Sequence, residues 1–270
     1  PSASPGMKLN FREFGAARVG SPPLVLLHGL FGSLINWQQI ARNLSTRHHV
    51  IVPDLRNHGR SPHATDVSYQ AMADDLLQLL DELQLATAVF IGHSMGGKLA
   101  MWLALTAGDR VSRLVCVDMA PVTYQSSFGG ILRGLMALPL DQIDSRKAAD
   151  AWLASAVPVK PVRDFLLQNL QRTEDGWYWR NNMAALHAGI DTILDFPPIP
   201  SGQAYPGPAL FVYGAESDYV LAEYQPRILE LFPAAELQSI AGAGHWVYAD
   251  QPQAFLHTIN SRLDAPVKQL

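Results

Sequence analysis

Gly92-His-Ser-Met-Gly96 sets a serine between glycines two residues away on either side. It directly follows the apolar, β-branched run Ala88-Val-Phe-Ile91 and precedes a helical pattern that opens at Met95 and runs to about Gly108. A G-x-S-x-G turn in this strand-then-helix context is a nucleophile elbow, so sharp that side chains at the flanking positions, Gly92 and Gly96, would collide across it. Such a turn lifts the Ser94 hydroxyl above the sheet edge. The next helix aims its free N–H groups and positive dipole end at the same spot. A serine hydroxyl becomes a useful nucleophile once a base takes its proton, and histidine is the usual base.

Of the nine histidines, His245 stands out. It lies in the glycine-rich loop Gly242-Ala-Gly-His-Trp246, just after the strand expected at Leu237–Ile240. In a parallel sheet that loop is at the carboxyl edge, where Ser94 also projects. His93 is expected to support the elbow. His48, His49, His187 and His257 fall on stretches suited to surface or packing roles, and His58 and His63 flank a loop. A carboxylate would hold the imidazole in its working tautomer, and chain order places it between serine and histidine. Two residues satisfy that order. Asp118 ends the run Leu114-Val-Cys-Val117, and Asp218 lies in Gly214-Ala-Glu-Ser-Asp-Tyr-Val220. Asp118 is preferred because it leaves the sheet one strand beyond the elbow. Asp218 is the alternative acid, or else caps the following helix. The negative oxygen of an acyl-transfer intermediate needs waiting donors. The backbone N–H of Met95 is one, and the N–H of Leu30, in the turn His28-Gly-Leu-Phe-Gly32, is the other. No zinc-ligand spacing such as H-E-x-x-H is present, so no metal is expected.

The elements that must carry these residues read as an α/β sheet. Strands read at Leu24–Leu27, Val50–Asp54, Val89–Ile91, Leu114–Val117, Ala209–Gly214 and Leu237–Ile240, most of them apolar throughout, alternate with helical patterns, as in a parallel sheet covered on both faces. Short opening strands are expected at Met7 to Phe14 and Ala17 to Val19. Helices are expected at Asn36 to Leu44, from Ser68 through Leu83, from Leu221 to Phe232 and from Pro252 to Leu263. Between residues 122 and 200 the alternation stops, leaving helical pieces separated by Gly and Pro and closed by the extended Phe196-Pro-Pro-Ile-Pro200. The expected organisation is a core from 7–121 and 201–265 with a helical cap inserted at 122–200. Pro1 to Gly6 are expected to be a disordered tail or a remnant of expression.

At 270 residues, 48% hydrophobic and 16% charged, the chain can bury a sizeable core. A formal net charge of −4 without basic runs argues against a nucleic-acid partner. No apolar run reaches the ~18 residues that would span a bilayer. The lone Cys116 cannot form an internal disulfide, which fits a reducing compartment, and the expected location is the cytoplasm. Oligomeric state is not readable.

Several of these stretches belong together. His28-Gly-Leu-Phe-Gly-Ser33 with Asn36-Trp37, Pro53-Asp-Leu-Arg-Asn-His-Gly-Arg-Ser-Pro62, Gly92-His-Ser-Met-Gly-Gly-Lys98, Val117-Asp-Met-Ala-Pro-Val122, Trp179-Arg-Asn-Asn182 and Gly242-Ala-Gly-His-Trp-Val247 resemble the α/β-hydrolase superfamily. Within it they resemble the YbfF-like bacterial esterases and their mitochondrial relatives, from about residue 8 to residue 263. The resemblance implies an α/β-hydrolase fold and a cofactor-free serine carboxylesterase acting on small acyl esters, with acyl thioesters as an alternative. In most relatives the acid lies three residues after the strand's glycine, which here is Ser217. Asp218 is one residue late, a shift that redirects a side chain near a strand end. The subgroup resembles this chain in lacking an acid at that slot, which implies Asp118 as the acid. Trp246 matches a tryptophan beside the family's histidine, and His28 and Gly29 belong to the turn that supplies the second donor. The Asp54–Gly59 loop is expected to be structural.

Substrate clues are fewer. The cap's Phe128, Leu132, Leu135, Met136, Trp152, Trp177 and Trp179 offer apolar surface for an acyl chain or for holding the cap down. Seven Lys and Arg against eight Asp and Glu between 122 and 200 give no sign of a phosphate-binding patch, so a simple ester of short-to-medium acyl chain is expected. The same triad could instead run C–C bond hydrolysis or perhydrolysis. A non-catalytic ligand-binding module on the same fold is the remaining reading.

Overall fold

The structure is a computed structural model that describes residues 6–264. The tail expected at 1–6 therefore lies outside the described residues except for Gly6. Nine strands are described: β1 (Phe11–Phe14), β2 (Leu24–Leu27), β3 (Val50–Pro53), β4 (Ala88–His93), β5 (Val111–Val117), β6 (Leu170–Thr173), β7 (Gly176–Trp179), β8 (Ala209–Gly214) and β9 (Ala235–Ile240). Seven of them form one sheet in the order β1-β3-β2-β4-β5-β8-β9. Only β1 runs antiparallel to its neighbour. The helices are α1 (Gln38–Leu44), α2 (Tyr69–Glu82), α3 (Met95–Thr106), α4 (Phe128–Ala137), α5 (Arg146–Leu153), α6 (Lys160–Leu167), α7 (Met183–Ala188), α8 (Ile190–Leu194), α9 (Gln225–Leu231), α10 (Val247–Asp250) and α11 (Pro252–Leu263).

The central strands β2, β3, β4 and β8 are almost wholly buried and mostly apolar because both their faces are covered, whereas the edge strand β9 exposes Glu236, Gln238 and Ser239. In β4, Phe90 packs into the layer formed with α2, α3 and α9, where Leu76, Leu99 and Ile228 lie. Its neighbours Val89 and Ile91 face the opposite layer, with Trp37 and Ile40 beside α1 and Phe255 and Ile259 on α11. Helix α2 starts where expected, its Ser68 side chain accepting from the Ala71 N–H. Two expectations differ. Residues 17–19 form no strand, only an isolated bridge between Arg18 and Ser21. The insertion between β5 and β8 holds α4 to α8 but also the antiparallel hairpin β6–β7. Among the described residues no helix is long and apolar enough to cross a membrane.

This topology gathers the chemistry on one rim. The carboxyl ends of β2, β3, β4, β5, β8 and β9 lead into His28, Asp54, Ser94, Asp118, Ser217 and His245, in the region where open α/β sheets place their ligands.

Candidate active site

Ser94 sits at φ +56°, ψ −121°, a conformation costing a non-glycine residue on the order of 1–3 kcal/mol. The flanking glycines permit it, in part differently from expectation. A Cβ on Gly92 would strike the Gly96 carbonyl across the turn. One on Gly96 would lie 2.5 Å from the Leu27 carbonyl oxygen and 2.6 Å from that of His28, so the second glycine clears β2 instead. Behind the serine, His93 is buried and its Nε2–H donates to the His245 carbonyl at 2.8 Å. Burial, with the neighbouring His245 ring, pushes the His93 pKa well down, so it braces the histidine loop as a neutral ring.

The carboxylate that reaches His245 is that of Asp118. His245 Nδ1 lies 2.6 Å from Asp118 Oδ2. Asp118 is completely buried and sits at φ +52°, a left-handed conformation that Asp tolerates better than most residues. Its Oδ1 accepts from the Gly214 N–H at 3.1 Å, and its Oδ2 also accepts from the Ser217 hydroxyl at 2.6 Å. Ser217, in the loop after β8, thus donates to a carboxylate carried at the end of the adjacent strand. Asp218 is exposed and makes no bond to His245 among the described residues. Tyr219, singled out by nothing in the sequence, stacks on the His245 ring at 3.9 Å between centroids and 20° between planes. Trp246 meets the same ring edge-on at 5.4 Å and touches Phe165 of α6 on its other side.

The turn after β2 is held by buried imidazoles. His28 donates through Nδ1 to the Gly29 carbonyl at 2.8 Å and accepts at Nε2 from the Leu55 N–H at 3.0 Å. His58 donates through Nδ1 to the Arg56 carbonyl and accepts at Nε2 from the Phe31 N–H at 3.1 Å. Burial lowers the His28 pKa and drives that of His58 down to about 3, so both rings are neutral, as their acceptor roles require. The Gly32 N–H donates back to Gly29. Between them, the N–H of Leu30 has no acceptor among the described residues. Nor has that of Met95, one of the leading amides of α3 that no intrahelical carbonyl can satisfy. Both residues border the same small lobe as Ser94.

That lobe, about 30 Å³, is closed by Lys98, Met119, Tyr124, Ile193 and Leu194. Lys98 is buried, donating through Nζ to the Leu194 and Asp195 carbonyls at 2.6 and 2.9 Å, with its ammonium 4.9 Å from the Tyr124 ring centre. Burial pulls its pKa down to about 7. A second, apolar cleft of about 150 Å³ opens on the other side of Ser94 and His245, beneath Phe128, Ile131, Val162, Phe165 and Leu166 of the insertion. Of the seven apolar cap residues singled out in the sequence, only Phe128 lines these spaces. Leu132 and Leu135 are buried in the core, Met136 and Trp152 face outward, and Trp179 donates through Nε1 to the Leu135 carbonyl.

The family profile described as alpha/beta hydrolase fold matches residues 22–252. This chain belongs to the α/β-hydrolase family. Esterase YbfF of Escherichia coli is 40% identical over 260 residues, 96% of this chain and all of its own length. The sn-1-specific diacylglycerol lipase ABHD11 of Mus musculus is 42% identical over 250 residues, 90% of this chain and 81% of its own. Among solved structures, a marine microorganism esterase superposes with a TM-score of 0.90 at 37% identity, covering 95% of this chain and all of its own. Ser94, Asp118 and His245 occur in that order along this α/β-hydrolase chain, directly after β4, directly after β5 and in the loop beyond β9.

Proposed function

We propose that this α/β-hydrolase is a serine carboxylesterase whose core, 7–121 and 201–265, carries the chemistry and whose cap, 122–200, covers the substrate. His245 takes the Ser94 proton as Oγ attacks the acyl carbon. The amides of Leu30 and Met95 receive the resulting oxyanion, and His245 then gives its proton to the departing alcohol. Water, deprotonated by His245, attacks the acyl-enzyme, releasing the acid and returning the proton to Ser94. Asp118 orients the ring and stabilises its charged form. The observation carrying this reading is the 2.6 Å contact between His245 and the buried Asp118 in a cleft that Ser94 also lines.

The two lobes bear on chain length. An apolar cavity of about 150 Å³ holds a benzene-sized group, whereas one near 30 Å³ admits little more than a methyl-sized end. Small acyl esters of short-to-medium chain suit that space. The likeness to proteins named esterases and lipases supports ester hydrolysis, and a reducing location such as the cytoplasm agrees with the buried thiol of Cys116, which donates to the Met119 carbonyl. A p-nitrophenyl ester series tests the reading. Activity is expected to peak at short-to-medium chains and to fall about 10⁶-fold in Ser94→Ala. Substantial turnover by Ser94→Ala, or failure of a fluorophosphonate to label Ser94, overturns it.

A further inference from the structure

We infer that Asn169, a cap residue, is a positioning residue for the oxyanion hole: through Phe31 it makes the hole's geometry depend on how the cap is seated. The inference rests on the esterase reading above. Asn169 follows α6, and its Nδ2 donates to the Phe31 carbonyl at 2.7 Å, 138 positions away in the chain, and to the Leu166 carbonyl at 3.2 Å. Two facing carbonyls fix which end of the amide points down. The residue is buried, its N–H donates to Leu166, and its own carbonyl accepts from the Arg180 N–H at 2.9 Å, so it is locked into the cap.

Phe31 is the residue in the turn that most needs holding. It is an aromatic at φ +65°, a conformation that persists only when its surroundings impose it. His58 holds its N–H from the core side. The cap holds its carbonyl through Asn169 and meets its ring with Phe128 at 6.0 Å, edge to face.

The link to the hole runs through planar peptide units, each of which turns as a rigid plate. The Phe31–Gly32 plate is held at its oxygen by Asn169 and at its N–H by the Gly29 carbonyl. That carbonyl belongs to the Gly29–Leu30 plate, two units back along the chain and joined to the first by this hydrogen bond, whose opposite end is the Leu30 N–H assigned to the hole. Releasing Asn169 frees the first plate to rotate and takes one of the two donors off the Gly29 oxygen, leaving only His28. The Leu30 amide then loses its fixed aim at the oxyanion beside Ser94.

The test compares Asn169→Asp, which matches the side chain in size but presents an acceptor to two carbonyls, with wild type on p-nitrophenyl acetate. Removing an oxyanion donor outright lowers kcat by about 10²–10³, so misdirecting one is expected to lower it by about 10–100-fold, with KM changed less than about threefold. Affinity for a trifluoromethyl ketone, whose tetrahedral adduct places its oxyanion in the hole, is expected to weaken by the same factor. Asn169→Ala provides a second route if the aspartate does not fold. Asn182→Ala loosens the cap seam elsewhere, at Asn57 and Ala64, and is expected to leave ketone affinity unmoved. Folded Asn169 variants with kcat and ketone affinity near wild type overturn the inference, as does an Asn182 variant that reproduces their effect. In either case, an inactive Ser94→Ala leaves the esterase reading standing.

Discussion

Two clusters of histidine and carboxylate sit on the same rim of the sheet and differ in what their ring nitrogens face. At the ends of β2 and β3, all four nitrogens of His28 and His58 meet backbone groups. Nearby, Asp54 accepts from the Leu34 and Arg60 amides and from Asn10, while Asp75 takes both prongs of the Arg56 guanidinium at 2.7 and 2.8 Å. At the ends of β5 and β9, His245 spends one nitrogen on Asp118 and leaves Nε2 without a partner among the described residues, in the cleft it shares with Ser94. An imidazole saturated by amides can hold a loop but has no site from which to move a proton. One tethered at a single nitrogen has both an orientation and a free basic edge.

The comparison breaks most visibly at the two carboxylates. Asp118→Asn keeps the shape at His245 but removes the charge that fixes its tautomer, and kcat is expected to fall about 10³–10⁴-fold. Asp218→Asn, on an exposed side chain, is expected to change kcat little. Steady-state kinetics of the pair decide the matter: the reverse ranking would move the acid to the loop after β8. In the other cluster the damage should appear as lost stability. Asp75→Asn leaves the buried Arg56 without its counter-charge, and stripping one partner from a buried pair costs about 3–5 kcal/mol. Denaturant unfolding is expected to show that loss while kcat of the folded enzyme stays near wild type. A collapse of kcat at unchanged stability would mean the first cluster also takes part in chemistry.

What the sequence made legible follows the range of the forces involved. The elbow is local: two glycines, a serine and a switch from strand to helix are read from a few adjacent residues. The parallel sheet is legible because its central strands, covered on both faces, are mostly apolar runs. The hairpin β6–β7 leaves a weak mark: its two-residue turn is Glu174-Asp175, and Gly176, the first residue of β7, sits at φ +109°. That mark is weak because each strand has only four residues and β6 exposes Arg172 and Thr173. The sequence marks Ser217 only as a position lacking an acid, although a hydroxyl there can serve a carboxylate on the neighbouring strand. Asn169 and Tyr219 carry no local mark, because their partners are fixed by how distant segments dock.

The finest cut between the two clusters is their response to acid. His58 ordinarily titrates near 6.5 when exposed but is held down to about 3 by burial, with the neighbouring His28 ring adding to the effect. The sign follows from proton counting. Between pH 6.5 and 3 the unfolded chain binds a proton at this position that the folded chain refuses, so stability falls as pH falls. The group's contribution is complete above 6.5 and is lost progressively down to about 3, at no more than about 1.4 kcal/mol per pH unit. His58→Gln keeps an acceptor for the Phe31 N–H and has nothing to titrate. Its unfolding free energy, measured from pH 7 to pH 4, is expected to decline less steeply than that of wild type, with the two curves closest at neutral pH. Parallel declines would mean that His58 takes up its proton in the folded state, and the first cluster would then be open to protons in the way reserved here for the second.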